Sequence, residues 1–390
     1  MLHVIARLNM GGPAYQAGLL AGRRMDPDRY EVRVVHGRLA PGERSMADFA
    51  EGEGAHLTYV PTRGQQLRPV ADARALARLV SIVRDFRPDL VHTHTAKAGF
   101  VGRLTAIVES RPRPSIVHTY HGHVLGDYFG HTRSRVYRSL ERALASHSDC
   151  LVGVSNATVG ELVRLGVAPR ERFRVIPLGV AMEPFLQVDP EPGGPLRREL
   201  GVGPDQVLAT YVGRIVPIKR LDVLVRALAV ARAQRARVQL AVVGDGELRP
   251  ELERLVSELG VAQAVHLLGY RRDLARVAQA SDMYVLSSDN EGMSQSLIEG
   301  EGAARPVAAT GVGGVPEVVT PETGILVGRG DHHALGDAIA RLAGDRDLRL
   351  RLGRAARGRA LARYSAERLV ADTDDLYREL LDARRSPRAG

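Results

Sequence analysis

Two carboxylates and two cations in the second half of the chain form a set able to hold a phosphorylated, hydroxyl-rich ligand. In GRIVPIKRLDVL, Arg214 sits in a loop after an apolar strand pattern, and Lys219 precedes a helical pattern. Arginine makes forked hydrogen bonds to oxygen and lysine adds a compact charge, so this pair beside a strand's carboxyl end suits a diphosphate. A solvated surface pair has the same spacing. In SSDNEGMSQSLIEGEG, Glu291 falls in a loop at a helix entrance and Glu299 follows eight residues later. Along an ideal helix that separation turns through about 800°, or about 80° past two full turns, so both carboxylates can address neighbouring parts of one molecule. Between them, Gly292, Met293 and Ser294 expose backbone N–H groups at a helix N-terminus, which is an anion site. Carboxylates accept from sugar and ribose hydroxyls, whereas the amides donate to phosphate.

Other segments are less specific. Asp245-Gly246 in VVGDGELRPELERL reads as a structural turn. LLGYRRD places Tyr270 and Arg271 after a strand end, where the backbone can line a base pocket. ATGVGGVPEVV supplies a turn at Gly311–Gly314 and a short helix from Pro316, either a site wall or a plain loop. In the first half, six of the thirteen histidines lie between His92 and His131. His92-x-His94 and His121-x-His123 have the spacing of metal ligands, but no third close ligand is visible in the sequence. The expectation is no metal, with structural roles for the histidines other than His121. The Asp-x-Asp pairs Asp26/Asp28, Asp345/Asp347 and Asp372/Asp374 fall in turns or polar helical stretches and read as surface charge.

The elements that must carry these groups alternate. LHVIARL, YEVRVVHG, DLVHTHT, SIVHTYHG, DCLVGVS and FRVIPLG read as strands, with helical patterns from about Ala14 to Met25 and in ALARLVSIVRDF. After a Pro- and Gly-rich stretch from Pro177 to about Pro195 the pattern restarts with VLATYVGR, VQLAVVGDG, AVHLLGY, MYVLSS, PVAAT and TGILV. Strands alternating with helices predict an α/β fold with two mostly parallel sheets, residues 1–183 and 184–365. Ligands then bind at the carboxyl ends of the strands, in a cleft between the two halves. Residues 366–390 predict a helix able to pack back on the first half, with a frayed tail.

Composition bounds the partners. Aromatic residues are 4% of the 390 residues and there is no Trp, which leaves no platform for stacked bases and excludes nucleic acid as the expected partner. The single cysteine, Cys150, fits a reducing, cytoplasmic setting and a structural thiol. The opening MLHVIARLNMGG reads as a first strand and loop and not as a secretory leader, and with no apolar run of 18 residues no spanning helix is expected. The net charge of +9 lies wholly in residues 1–180, with 25 Lys/Arg against 16 Asp/Glu, and residues 181–390 balance at 29 each. A basic half beside a neutral one suits an anionic neighbour such as an inner membrane face or a phosphate-bearing acceptor. In SRVYRSLERALASH, basic residues flank the apolar stripe Val136, Leu140 and Leu144, which suits either a membrane surface or the core.

Together, Arg214, Lys219, Glu291–x7–Glu299 and GGVPEVV resemble the retaining glycosyltransferase family 4, whose members have the GT-B fold. The resemblance covers nearly the whole chain and implies two Rossmann-like domains facing each other across a cleft. It implies that Arg214 and Lys219 hold a donor diphosphate, that Glu291 contacts the transferred sugar and that Glu299 holds the ribose. It also makes Asn9-Met10-Gly11-Gly12 a loop at the acceptor side, puts His121 near donor sugar and acceptor, and makes Ser155 and Asn156 lesser site candidates. The run Glu299-Gly300-Glu301-Gly302-Ala303-Ala304 departs from the family pattern. Two helix-interior glycines cost about 1 kcal/mol each, and Ala304 stands where a C-terminal glycine is expected.

The activity so implied is metal-independent hexosyl transfer from a nucleotide-sugar, UDP-linked or GDP-linked, to a glycan or lipid-linked acceptor in surface polysaccharide or glycolipid synthesis. Arg214, Lys219 and the helix-start amides take the place of a metal, with no cofactor needed. A nucleotide-sugar epimerase on the same fold and a non-catalytic nucleotide-sugar or glycan binding protein are the competing readings.

Overall fold

The computed structural model describes residues 1–40, 42–60, 69–109, 112–122 and 131–385. The chain divides into two compact units, Met1–Gly179 with Ala366–Gly390, and Val180–Ser365. The second unit thus begins at Val180, a few residues before the sequence-based boundary at 184.

In the first unit, seven strands run β1 (Leu2–Arg7), β2 (Arg33–Gly37), β3 (His56–Tyr59), β4 (Leu90–His94), β5 (Ser115–Tyr120), β6 (Cys150–Gly153) and β7 (Phe173–Val175). They pair in the order β3-β2-β1-β4-β5-β6-β7, every pair parallel. Every residue of β4 and β5 is buried, as expected of parallel strands with helices on both faces. The C-terminal helix Ala366–Arg385 belongs to this unit, and its Leu369, Leu376 and Tyr377 join the same apolar cluster as Ile5, Leu20 and Val34. Arg368 bonds the Pro177 and Leu178 carbonyls at 2.9 and 2.7 Å, tying the helix to the end of the unit.

The second unit has six strands, β8 (Val207–Val212), β9 (Val238–Val243), β10 (Val265–Gly269), β11 (Met283–Leu286), β12 (Val307–Thr310) and β13 (Gly324–Val327). Their order is β10-β9-β8-β11-β12-β13, again all parallel. In both sheets the order reverses beside the first strand, between β1 and β4 and between β8 and β11. These are the switch points where loops diverge and leave a crevice for a ligand.

Several expectations shift in detail. The first helix spans Gly12–Ala21, opened by Pro13 and by Gly11 at φ 149°, and stops short of Met25. Strand β3 and the helices Ala96–Glu109, His332–Gly344 and Arg346–Tyr364 were not singled out in the sequence. Asp345 accepts from the Leu348 N–H at 2.8 Å, so this Asp-x-Asp pair opens a helix. Asp374 accepts from the Tyr30 hydroxyl at 2.6 Å, and Asp372 pairs with Arg368. The Cys150 thiol is pushed up to about 11 by burial, which keeps it a thiol and not a nucleophile.

Candidate active site

The loops that leave β8 and β11 meet at the second switch point, and Lys219 and Glu291 join them. Lys219 Nζ lies 2.5 Å from Glu291 Oε1, which also accepts from the Ser288 hydroxyl at 2.6 Å. Backbone bonds lock the same junction: Asp289 N–H donates to Ile218 at 2.8 Å, and the Ser287 hydroxyl donates to the Lys219 and Arg220 carbonyls at 3.0 and 2.8 Å. The loop after β12 closes the far side. There Gly314 N–H donates to the Glu291 carbonyl at 3.0 Å, and Gly313 has φ 51°. A Cβ on Gly313 would lie 1.9 Å from the Glu291 carbonyl oxygen, so only glycine fits against the carboxylate's own backbone.

The loop after β9 supports the Arg214 segment. Ile215 N–H donates to the Asp245 carbonyl at 2.9 Å, and a Cβ on Gly246 would lie 2.2 Å from the Ile215 carbonyl oxygen. Asp245-Gly246 is thus a scaffold for the cation loop. The buried Tyr211 donates its hydroxyl to the Arg214 carbonyl at 2.8 Å. The Arg214 side chain is exposed and has no hydrogen-bond partner among the described residues.

The helix after Glu291 spans Gln295–Gly302, with Ser294 as its N-cap and no side-chain cap. Glu291 therefore precedes the helix by several residues, and the ideal-helix rotation drawn from the sequence applies only from Gln295 onward. Met293 and Ser294 are buried and Gly292 is half-buried where the helix begins, and the uncapped first turn leaves N–H donors for an anion. Glu299 lies on this helix, buried, and accepts from Gln295 Nε2 at 2.8 Å. Burial pushes its carboxyl up to about 7, against the smaller downward pull of that bond.

The departures from the family pattern have packing causes. A Cβ on Gly300 would lie 2.5 Å from the Tyr284 ring, and one on Gly302 would lie 2.9 Å from Met182 Sδ. Glycine lets the helix lie directly on β11 and on the segment around Met182. Ala304 does adopt φ 58°, the left-handed conformation that a glycine would take without strain.

Arg271 follows β10, in the loop that opens the next helix. It forms an ion pair with Asp273 in its own loop, at 2.5 Å.

In the first unit, Gly11 and Gly12 follow β1, where Met10 N–H bonds the Arg44 carbonyl at 3.1 Å and Asn9 bonds Glu43 at 3.1 Å. The loop is held rather than loose. His121 follows β5; its Nε2 lies 3.1 Å from His94 Nδ1, and its own Nδ1 is buried with no partner among the described residues. His123 lies outside the described residues. Ser155 is spent as an N-cap, accepting from the Thr158 N–H at 3.1 Å. The sequence did not single out His3, which stands opposite His92 in the β1–β4 pairing. His3, His92 and His94 each place one ring nitrogen within 4.8 Å of the others. Each ring nitrogen of the three already has a hydrogen-bond partner. The signal was residue parity, since alternate residues on paired parallel strands share a face.

A cation–carboxylate pair and an uncapped helix start thus lie at a switch point, where doubly wound sheets take their ligands. Residues 11–179 match the family described as "Glycosyl transferase 4-like domain", and residues 206–345 match "Glycosyl transferases group 1". The D-inositol 3-phosphate glycosyltransferase of Saccharomonospora viridis is 33% identical over 315 residues, 76% of this chain and 71% of that protein. The UDP-Gal:alpha-D-GlcNAc-diphosphoundecaprenol alpha-1,3-galactosyltransferase of Escherichia coli is 26% identical over 365 residues, 91% of this chain and 90% of that protein. Among solved structures, Anabaena HepE in complex with UDP and glucose superposes with a TM-score of 0.79 at 21% identity, covering 96% of this chain and 98% of that one. Sucrose-phosphate synthase from Thermosynechococcus elongatus gives a TM-score of 0.80 at 23% identity, covering 98% and 99%. The chain belongs to the glycosyltransferases: it is a GT-B enzyme of two Rossmann-like domains. That membership sets aside the epimerase and the non-catalytic binding protein.

Proposed function

We propose that this glycosyltransferase moves a hexosyl group from a UDP-sugar to a glycan or lipid-linked acceptor, with retention of anomeric configuration and without a metal ion. The observation that carries the reading is the Lys219–Glu291 pair at 2.5 Å across the β8/β11 switch point, with the uncapped helix start beside it. The names of the similar proteins support a uridine donor: HepE binds UDP-glucose, and the Escherichia coli relative is named for UDP-Gal and a lipid diphosphate.

In the reaction the bond from the anomeric carbon to the β-phosphate oxygen breaks, and the acceptor oxygen bonds to the same carbon from the same face. The acceptor's proton passes to the leaving diphosphate, which balances the charge. Arg214, Lys219 and the N–H groups at Met293 and Ser294 stabilise the oxygens that gain charge, an electrostatic contribution fixed before the reaction begins. Glu291 accepts from hydroxyls of the transferred sugar, Glu299 accepts from the ribose, and His121 meets the sugar or acceptor. Neither glutamate needs to be a nucleophile.

The exposed pair Val136 and Leu140, on the helix His131–Ser146 beside the exposed Arg135, supports peripheral contact with an anionic membrane that carries the acceptor. Leu144 is instead buried, so the apolar stripe read from the sequence splits between surface and core. Among the described residues no helix is long and apolar enough to cross a membrane. The test is a donor panel followed by nucleoside diphosphate release in EDTA, with the product's anomeric configuration read by NMR. UDP release with retained configuration supports the reading; strict metal dependence or an inverted product refutes it.

A further inference from the structure

A chain of buried polar groups runs through the first unit and ends on His121. Thr119 Oγ1 lies 2.7 Å from His92 Nε2, and His92 Nδ1 lies 2.5 Å from the Tyr377 hydroxyl. The same hydroxyl lies 3.3 Å from His3 Nε2, His3 Nδ1 lies 3.2 Å from His94 Nε2, and His94 Nδ1 lies 3.1 Å from His121 Nε2. Residues from β1, β4, β5 and the C-terminal helix thereby form one connected line.

Burial lowers the pKa of His3, His92 and His121 well below the ordinary histidine value, and that of His94 to about 3. All four rings are therefore neutral at neutral pH, each with one N–H donor and one lone pair. The buried Tyr377 hydroxyl has one proton and, among the described residues, only His92 and His3 to receive it, and each ring that accepts at one nitrogen must donate at the other, so the line has two polarities that keep this proton paired. In one, all four rings carry the proton on Nε2; in the other, all four carry it on Nδ1.

The far end decides between them. Thr119 is buried, and among the described residues its hydroxyl has one partner, His92 Nε2. If His92 donated there, two buried groups would be left unpaired among the described residues, the Thr119 proton and the lone pair of His121 Nδ1, whereas the reverse polarity leaves one, a proton on His121 Nδ1. The hydroxyl must therefore donate, which makes His92 Nε2 the acceptor and sends His92 Nδ1–H to Tyr377. Tyr377 then donates to His3, His3 Nδ1–H to His94, and His94 Nδ1–H to His121 Nε2. The remaining proton of His121 falls on Nδ1, the one nitrogen of the line with no partner among the described residues.

We propose that Thr119, His92, Tyr377, His3 and His94 are positioning residues that fix His121 as its Nδ1–H tautomer, so that it offers a ligand oxygen a hydrogen-bond donor and not a base. What that donor meets rests on the transferase reading above; the tautomer itself does not. The experiment is long-range proton–nitrogen NMR on the ligand-free full chain labelled with 15N-histidine, the rings assigned by single His→Gln variants. The expected result is the Nδ1–H signature at His3, His92, His94 and His121. Thr119→Val, which removes the donor at constant shape, is expected to move His121 toward the Nε2–H signature, and Thr119→Ser to restore it. Tyr377→Phe offers a second cut, expected to shift His3, His94 and His121 together while Thr119 still holds His92. A purely structural role would lower Tm without moving the tautomer. An Nε2–H signal at wild-type His121, or His121 signals unchanged in Thr119→Val, would overturn the proposal, as would stoichiometric metal held by His3, His92 and His94. Full transfer by His121→Ala with the tautomers as proposed would instead sink only the catalytic role of His121.

Discussion

Glu291 Oε1 is shared between Lys219 Nζ at 2.5 Å and the Ser288 hydroxyl at 2.6 Å, so one carboxylate ties the two loops that flank the second switch point. The role assigned to Glu291 lies with the transferred sugar and not with the nucleotide. Glu291→Gln keeps the shape and removes the charge. It is expected to lower kcat about 100-fold while leaving UDP affinity unchanged. Steady-state kinetics beside a UDP titration check this, and a matching loss of UDP affinity would move Glu291 to the diphosphate.

A second prediction concerns pH. Burial pushes Glu299 up to about 7 in the free protein, yet only the carboxylate accepts from both ribose hydroxyls. Donor affinity should therefore rise from about pH 6 to about pH 8, because binding favours the form that high pH populates. Calorimetric titration of UDP across that range should show the rise, and Glu299→Gln should flatten it. An equal slope in the variant would assign the pH dependence elsewhere.

These predictions show how much was written in the sequence. Alternating strand and helix patterns gave both sheets, because parallel strands buried on two faces leave unbroken apolar runs such as VQLAVV. The meeting of Lys219 with Glu291 was legible because each lies in a loop past a strand end beside the switch point of a doubly wound sheet. Three things were hidden. Strand β3 is half exposed and carries no apolar run. His3 acquires its meaning only through the register that sets it opposite His92. Gly300 and Gly302 read as helix weaknesses until Tyr284 and Met182 fill the space beside them.

Stability should carry the mark of Glu301. Both of its carboxyl oxygens are buried without a hydrogen-bond partner among the described residues, and burial pushes it up to about 8, against smaller downward pulls from Thr323 and Arg359. Its folded-state value is raised, so the unfolded chain ionises first and stability falls as pH rises from 4.5 to about 8. The slope from this group is about 1.4 kcal/mol per pH unit. Glu301→Gln should show a shallower fall of Tm over that window in thermal melts. An unchanged slope would mean that Glu301 is ionised in the fold.

Gly313→Ala tests how tightly the backbone beneath Glu291 is fixed. The new methyl would meet the Glu291 carbonyl at 1.9 Å, at a φ of 51°. Displacing the carboxylate by about 1 Å should reduce transfer about 100-fold with the fold retained by circular dichroism. Wild-type turnover would show that the loop relaxes freely.

Membrane contact makes a separate claim on the first unit. Val136→Asp with Leu140→Asp replaces two exposed apolar groups by charge of the lipid's own sign. The double variant should leave anionic vesicles in sedimentation while the wild type stays bound. Equal recovery of both proteins in the supernatant would remove the membrane from the account.

The account turns on positive charge and free amides cradling the diphosphate at the β8/β11 switch point. Its most direct test is calorimetric titration of UDP in EDTA into the wild type, Lys219→Ala and Arg214→Ala. The wild type should bind without metal, and each variant should lose affinity by about 10-fold or more. Binding at wild-type strength by both variants, or none by the wild type until a divalent cation is added, would contradict it.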